Sequence, residues 1–147
     1  MKNRSLPVDS LLPHLAYSNV DEAVKWLTRV FGFHEHYRYG EPGSESGAQM
    51  FAGAAYIMVH RIKTGEDTAG LGSCAQTITL FIEDVEGHYQ RSKAEGASIV
   101  EEPHETVYGE FQYAATDLGG HRWLFSRHAR DLAPEDWGAR VAVGSGP

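Results

Sequence analysis

The sequence predicts an α+β protein of two tandem βαβββ modules whose curved mixed sheets surround a cleft. Three observations carry that prediction. The order strand, helix, three strands is read once in residues 8–62 and again in residues 76–128. The two helices match, with twelve steps from Val20 to Gly32 and eleven from Val85 to Gly96. Between the copies lies KTGEDTAGLGSCA, residues 63–75, rich in Gly and Thr and without apolar periodicity, which reads as a linker. Two copies spaced by roughly 65 residues are too few and too long for a solenoid, so a pseudo-symmetric pair of sheets is expected.

In the first module, Leu11 to Tyr17 is a short apolar strand, and Ser18-Asn19 after it can cap a helix. Val20, Ala23, Val24, Leu27, Val30 and Phe31 then recur at helical spacing until Gly32 stops the run. Asp21 and Glu22 in the first turn, with Lys25 and Arg29 later, suit the helix dipole. Phe33 to Tyr39 reads as a strand and EPGSESG as a flexible loop. Gln49 to Ala52, a turn at Gly53 and Ala55 to Ile62 form a hairpin.

In the second module, Gln76 to Glu83 alternates cleanly, Asp84 caps a helix over Val85 to Glu95, and Gly96 ends it. Ser98 to Glu101 is a short strand before Pro103. Tyr108 to His128 is a strand, a turn at Thr116-Asp117-Leu118-Gly119-Gly120, and a strand carrying Trp123 and Phe125. The tail, 129–147, contains Ala133-Pro134-Glu135-Asp136-Trp137, a short helix with Pro in its first turn, and its last residues should fray.

The chain of 147 residues, 41% hydrophobic and 11% aromatic, can bury a real core. A net charge of −7 argues against a nucleic-acid surface, which needs a basic field. The single cysteine, Cys74, excludes an intramolecular disulfide and fits a reducing compartment. No segment approaches the ~20 apolar residues of a membrane helix, and the N-terminus lacks a signal-peptide run. A cytoplasmic protein with no membrane or nucleic-acid partner is expected.

Three segments, PHLAYSNVDEAVKWLTRVFGF, TITLFIEDVEGHYQRSKAEGASIVEEP and YGEFQYAATDLGGHRWLFS, occur in an order and spacing that resembles the vicinal oxygen chelate superfamily. That superfamily includes glyoxalase I, extradiol dioxygenases and bleomycin-resistance proteins. The last segment is similar to the family's Asp-Pro-x-Gly turn, with Asp117 and Gly120 kept and Leu118 in place of the proline. The resemblance covers roughly residues 11–128. It implies the glyoxalase/bleomycin-resistance/dioxygenase fold, a homodimer, and a divalent metal held by four His, Gln or Glu side chains. Counting from the helix-ending glycines and the Asp117 turn, those positions fall at Leu12, Met58, Thr77 and Leu124, none a strong donor. The expectation is therefore no metal and no cofactor. A slip of two residues keeps the sheet face and brings in His14 and His60, a relocated pair that could serve as acid/base groups or ligands.

Strand parity sorts the side chains. Leu11, Leu15, Tyr17, Ala55, Ile57, Val59, Ile78, Leu80, Ile82, Trp123 and Phe125 fall on faces that helices can cover. Leu12, His14, Ala16, Tyr56, Met58, His60, Thr77, Thr79, Phe81, Arg122, Leu124 and Ser126 fall on the opposite faces. Their mix of apolar bodies and few donors suits a small-molecule cleft, to which Tyr108, Phe111 and Tyr113 could add stacking surface. His34 and His36 read as an edge strand, and His88 and His104 as surface residues. The function expected is metal-independent binding or sequestration of a small, antibiotic-like ligand. The alternative is a lyase, isomerase or oxygenase working through His14 and His60.

Overall fold

The computed structural model describes residues 11–62 and 76–142. The expected linker, Cys74 and the last five residues lie outside that range. The first module comprises β1 (His14–Tyr17), α1 (Val20–Trp26), β2 (His34–Glu41), β3 (Ser44–Ala52) and β4 (Ala55–Arg61). The second comprises β5 (Thr77–Phe81), α2 (Val85–Ala94), β6 (Ser98–Glu105), β7 (Glu110–Thr116) and β8 (Arg122–His128), followed by a 3-10 turn over Pro134–Trp137. The two sheets have the same order, β1-β4-β3-β2 and β5-β8-β7-β6, with β1‖β4 and β5‖β8 parallel and the other pairs antiparallel. Two sheets of four strands, each with its own helix, form the α+β architecture that the repeat implied.

Local chemistry sets the helix ends. Asn19 accepts a bond from Glu22 N at 2.9 Å, and Asp84 accepts one from Gly87 N at 2.9 Å. After Trp26 the first helix widens into a π turn over Leu27–Phe31 and stops at Gly32, whose φ of 75° favours glycine. Two strands are longer than the sequence suggests. The EPGSESG segment is a tight turn at Pro42-Gly43 rather than a loop, because Gly43 takes a φ of 84° and lets β3 begin at Ser44. Strand β6 runs through Pro103 to Glu105. As the sheet's edge strand it tolerates a proline, and its register shifts between Glu101 and His104. Leu11, by contrast, precedes β1 and is 78% exposed, not core.

The helix-facing sides of both sheets share one core. Leu15, Tyr17, Ile57, Val59, Trp123 and Phe125 are buried there, with Ile78, Leu80 and Ile82 packed against them. Phe31 is its hub, with ring centroids 5.9 Å from Trp123 and 4.8 Å from Phe125, while Phe33 lies 5.3 Å from Trp123. Contacts between the modules run through this layer.

Two polar clusters fasten it. The buried Asp117 carboxylate accepts from the Tyr17 hydroxyl at 2.6 Å and Trp123 Nε1 at 3.1 Å on one oxygen, and from the backbones of Gly119 and His121 on the other. Burial, then the charge and hydrogen bond of Asp117, hold the Tyr17 phenol well above its usual ionisation range. His121 reaches back to bond the Ala16 carbonyl at 2.8 Å. The second cluster corrects the reading of His88 as a surface residue. Its ring sits between Phe31 and Phe125, its Nε2 donates to the Phe31 carbonyl at 2.8 Å, and its Nδ1 accepts from the Tyr113 hydroxyl at 2.5 Å. His88 lies beside the buried Val85, Tyr89 and Ser92 of α2, and the Phe31 and Phe125 rings cover it there.

Two outcomes are expected. Tyr17→Phe leaves a buried carboxylate one donor short and should lower unfolding stability by about 1–3 kcal/mol in urea; a change below about 0.5 kcal/mol would show the bond is not structural. Desolvation, with a smaller contribution from Arg91, pulls His88 below its ordinary 6.5 against the opposing pulls of the Phe31 carbonyl and Asp84. The unfolded chain therefore binds more protons between the lowered value and 6.5, and stability should fall as pH drops through that window. The stability difference between wild type and His88→Asn should shrink on acidification; parallel pH profiles for the two proteins would contradict it.

Candidate functional site

The second side of each sheet forms a concave face. On the first, β1 and β4 run in parallel with His14 opposite Met58 and Ala16 opposite His60, so those four side chains share a face. Strand β3 adds Gly47, Gln49 and Phe51, paired with His60, Met58 and Tyr56. On the second face, Thr77, Thr79 and Phe81 pair with Arg122, Leu124 and Ser126, and β7 adds Thr116, Ala114 and Gln112 beside them. The two registers superimpose, with His14 opposite Met58 in one module and Thr79 opposite Leu124 in the other.

On the first face the structure brings His14 and His60 together, Nδ1 to Nε2, at 2.6 Å. Tyr39, from β2, lies across Gly47, where a Cβ would sit 2.2 Å from its phenolic oxygen, and its hydroxyl reaches His60 Nδ1 at 3.3 Å. Phe51 and Tyr56 make an aromatic pair with centroids 5.1 Å apart. Gln49 is fully buried; its Oε1 bonds His36 Nδ1, and its Nε2 has no hydrogen-bond partner among the described residues. Strand parity finds His14 and His60 from sequence. It misses Tyr39 and His36, because β2 shifts register between Glu35 and Tyr37 and again between Tyr39 and Gly40, and it misses Gln49, although β3 holds that residue in regular register opposite Met58.

The second face holds a cavity of about 530 Å³ whose floor includes Thr77, Gln112 and Leu124 and whose rim includes Glu101, His104, Tyr108 and Arg122. Arg122 is held by Glu101 at 3.4 Å, and Ser126, fully buried, donates to Gln112 Oε1 at 3.2 Å. Phe81 is 69% exposed at the end of the same face. Phe111 and Tyr113 lie on the other side. Paired with Arg127 and Phe125, they turn toward the helix layer, where Tyr113 is fully buried against His88 and Ser92. Along β7 the cleft positions are the even ones, Gln112 and Ala114, which the alternation of that strand alone could have shown.

Among the described residues the two faces do not close over each other. Every described residue lining the larger cavity comes from the second module. Tyr56 and Thr79 meet at a separate groove of about 280 Å³ beside Leu11, Ile78 and Trp123, but His14, Met58 and His60 do not line it. Because the helix-facing sides are spent on the shared core, the concave sides turn outward.

The residues present do not fit a family-type metal centre. Leu124 and Met58 stand at equivalent places in the two sheets, and neither offers a hard or nitrogen donor; nor does Leu12, and Thr77 offers only a hydroxyl. Among the described residues no group of three or more His, Cys, Asp or Glu converges as a metal ion would require.

The sequence model of the Glyoxalase/Bleomycin resistance protein/Dioxygenase superfamily matches residues 9–125. TioX from Micromonospora sp. ML1 is 38% identical over 82% of this chain and 98% of its own, with a TM-score of 0.68. A glyoxalase/bleomycin resistance protein/dioxygenase from Nocardioides aligns over 96% of this chain and 93% of its own, at 13% identity and a TM-score of 0.63. One from Alicyclobacillus acidocaldarius aligns over 85% and 95%, also at 13% identity and 0.63. The last two bear on fold alone. No curated protein matches the chain.

The buried amide on the first face yields a stability prediction. Gln49→Met removes an unpartnered Nε2 at similar volume, at the expense of one bond to the exposed His36, and should raise ligand-free stability by about 1 kcal/mol. A loss of that size in urea unfolding would mean that the amide is satisfied in solution.

Proposed function

The chain belongs to the Glyoxalase/Bleomycin resistance protein/Dioxygenase superfamily, and from that premise we propose that it binds a small planar or amphipathic molecule without a metal and acts by sequestering it. The observation that carries this reading is Leu124. It stands on the floor of the second face's cavity, where a metal-binding acid is expected, and its neighbours there are Thr77 and Gln112 rather than strong ligands. Aromatic and aliphatic bodies with a few neutral donors hold a ligand by burial and orient it by hydrogen bonds.

Sequestration needs a closed cleft, and each face here is open. A second copy of the chain, laying its first-module face over this chain's second-module face, would supply the missing wall, and we assign the working form to a homodimer. Phe81, so exposed for a phenylalanine, would be covered in that form. No helix among the described residues is long and apolar enough to cross a membrane. A second reading rests on one contact. The 2.6 Å approach of His14 and His60 could support acid/base chemistry in a lyase, isomerase or oxygenase; activity surviving the double alanine variant would remove it.

Dansylamide, a planar fluorescent probe, tests the main reading. Saturable binding that changes less than about twofold after dialysis against EDTA, and weakens at least about tenfold in Leu124→Glu, is expected when a charge replaces the aliphatic contact on that floor. Binding lost with EDTA, together with stoichiometric metal carried by His14 or His60, would overturn it. Sedimentation should show a dimer that Phe81→Asp dissociates.

A further inference from the structure

Three polar side chains on the first module's face stand in sequence. The Tyr39 hydroxyl is 3.3 Å from His60 Nδ1, and His60 Nε2 is 2.6 Å from His14 Nδ1. The imidazole planes differ by 7° with centroids 4.8 Å apart. The centroids are thus farther apart than the nearest nitrogens by about two ring radii, so the rings meet edge to edge in nearly one plane. A contact that short and in line is a hydrogen bond with one proton between the nitrogens. It is not a chelate, because an ion would need each nitrogen about 2.0–2.1 Å away, converging from an angle.

The chain of bonds has a direction. Burial, and then the nearby Tyr37, push the Tyr39 phenol above its ordinary 10.0, so it keeps its proton. A phenol is a better donor than a neutral imidazole, and an imidazole nitrogen the better acceptor. Tyr39 therefore donates to His60 Nδ1, His60 carries its proton on Nε2 and donates to His14 Nδ1, and His14 is left with its proton on Nε2. That nitrogen is on the side of the ring away from His60, on an exposed residue. Gly47 is part of the device, since a Cβ there would strike the Tyr39 oxygen and ring.

We propose that the Tyr39–His60–His14 chain fixes His14 as an Nε2–H donor and makes it the anchor for an acceptor oxygen, carbonyl, phenolate or carboxylate, on an aromatic ligand lying on this face. Phe51 and Tyr56, paired across the same sheet with their rings tilted 50° to each other, supply aromatic surface against which the ring can pack. The inference rests on the binding reading above and narrows its ligand. A chain with a net charge of −7 would by long-range field alone favour a cation; the local geometry selects the opposite head group.

Long-range nitrogen–proton correlation spectra at mildly alkaline pH test the chain without any ligand. His14 and His60 should each show the Nε2–H tautomer in wild type. Tyr39→Phe should turn His60 and His14 into tautomer mixtures, and Gly47→Ala, which displaces the same hydroxyl, should do likewise. A mixture already present in wild type, or no change in Tyr39→Phe, overturns the proposal. Naphthoate and naphthylmethylamine, the same ring with opposite head groups, test the recognition. Naphthoate should perturb His14 Nε2 and bind roughly tenfold more tightly, and His14→Phe should abolish the preference while ring binding persists. Equal binding, or preference for the amine, overturns the anchor and leaves the aromatic-binding reading standing. Failure of both rings to bind defeats that reading and this one together.

Discussion

A buried carboxylate at the second module's turn ties the two halves of this protein together. Asp117 accepts from Tyr17 across 100 residues of chain, from Trp123 in its own sheet, and from two backbone amides of its own loop. A charge withdrawn from water is tolerated only with its lone pairs occupied, so the turn, the start of β8 and the end of β1 must assemble together. Beside it His121 returns a bond to β1, and the Phe31, Trp123 and Phe125 rings fill the space between. The polar bonds set the geometry of the joint, and the aromatic layer supplies most of the burial.

That joint decides where function can reside. A sheet has two faces, and a βαβββ module must bury one under its helix. Here both helix-covered faces are committed to a single core, so the other two face outward and each holds half of a possible cleft. The first is aromatic, with a short histidine chain at its centre; the second has a cavity with a floor of Leu124, Thr77 and Gln112 and a charged rim. The half-sites differ although their strand registers superimpose. Where the first has His14 and His60, the second has Thr79 and Ser126 at corresponding positions. The scaffold is symmetric, and the chemistry on it is not.

The same scaffold in a metal-using relative needs donors on four strands. This chain puts Met58 and Leu124 at two of those places and keeps its histidines one pleat repeat further along. Moving a donor by two residues preserves its face but displaces it by most of the width of a side chain. In-line contact between the rings then favours a shared proton over a shared cation. Binding of an aromatic molecule and orientation of one oxygen on it is the chemistry we propose for those groups.

Much of this was determined by the sequence by itself. The repeated order of elements, the two capped helices and the turn at Asp117 are local signals, set by propensity and by residues close in the chain, and alternation along β1, β4, β5 and β8 placed His14, His60 and Leu124 on the concave faces. Periodicity held in those strands because each pairs in regular register. It failed where register slips, in β2 with Tyr39, whereas regular alternation along β7 puts Phe111 and Tyr113 on the helix side. Only the tertiary structure decided what His88 touches, that Tyr17 bonds Asp117, and that the described lining of the second face's cavity comes from one module. Those facts depend on contacts between residues far apart in sequence, and a one-dimensional pattern carries a side chain's direction but not the identity of what it meets.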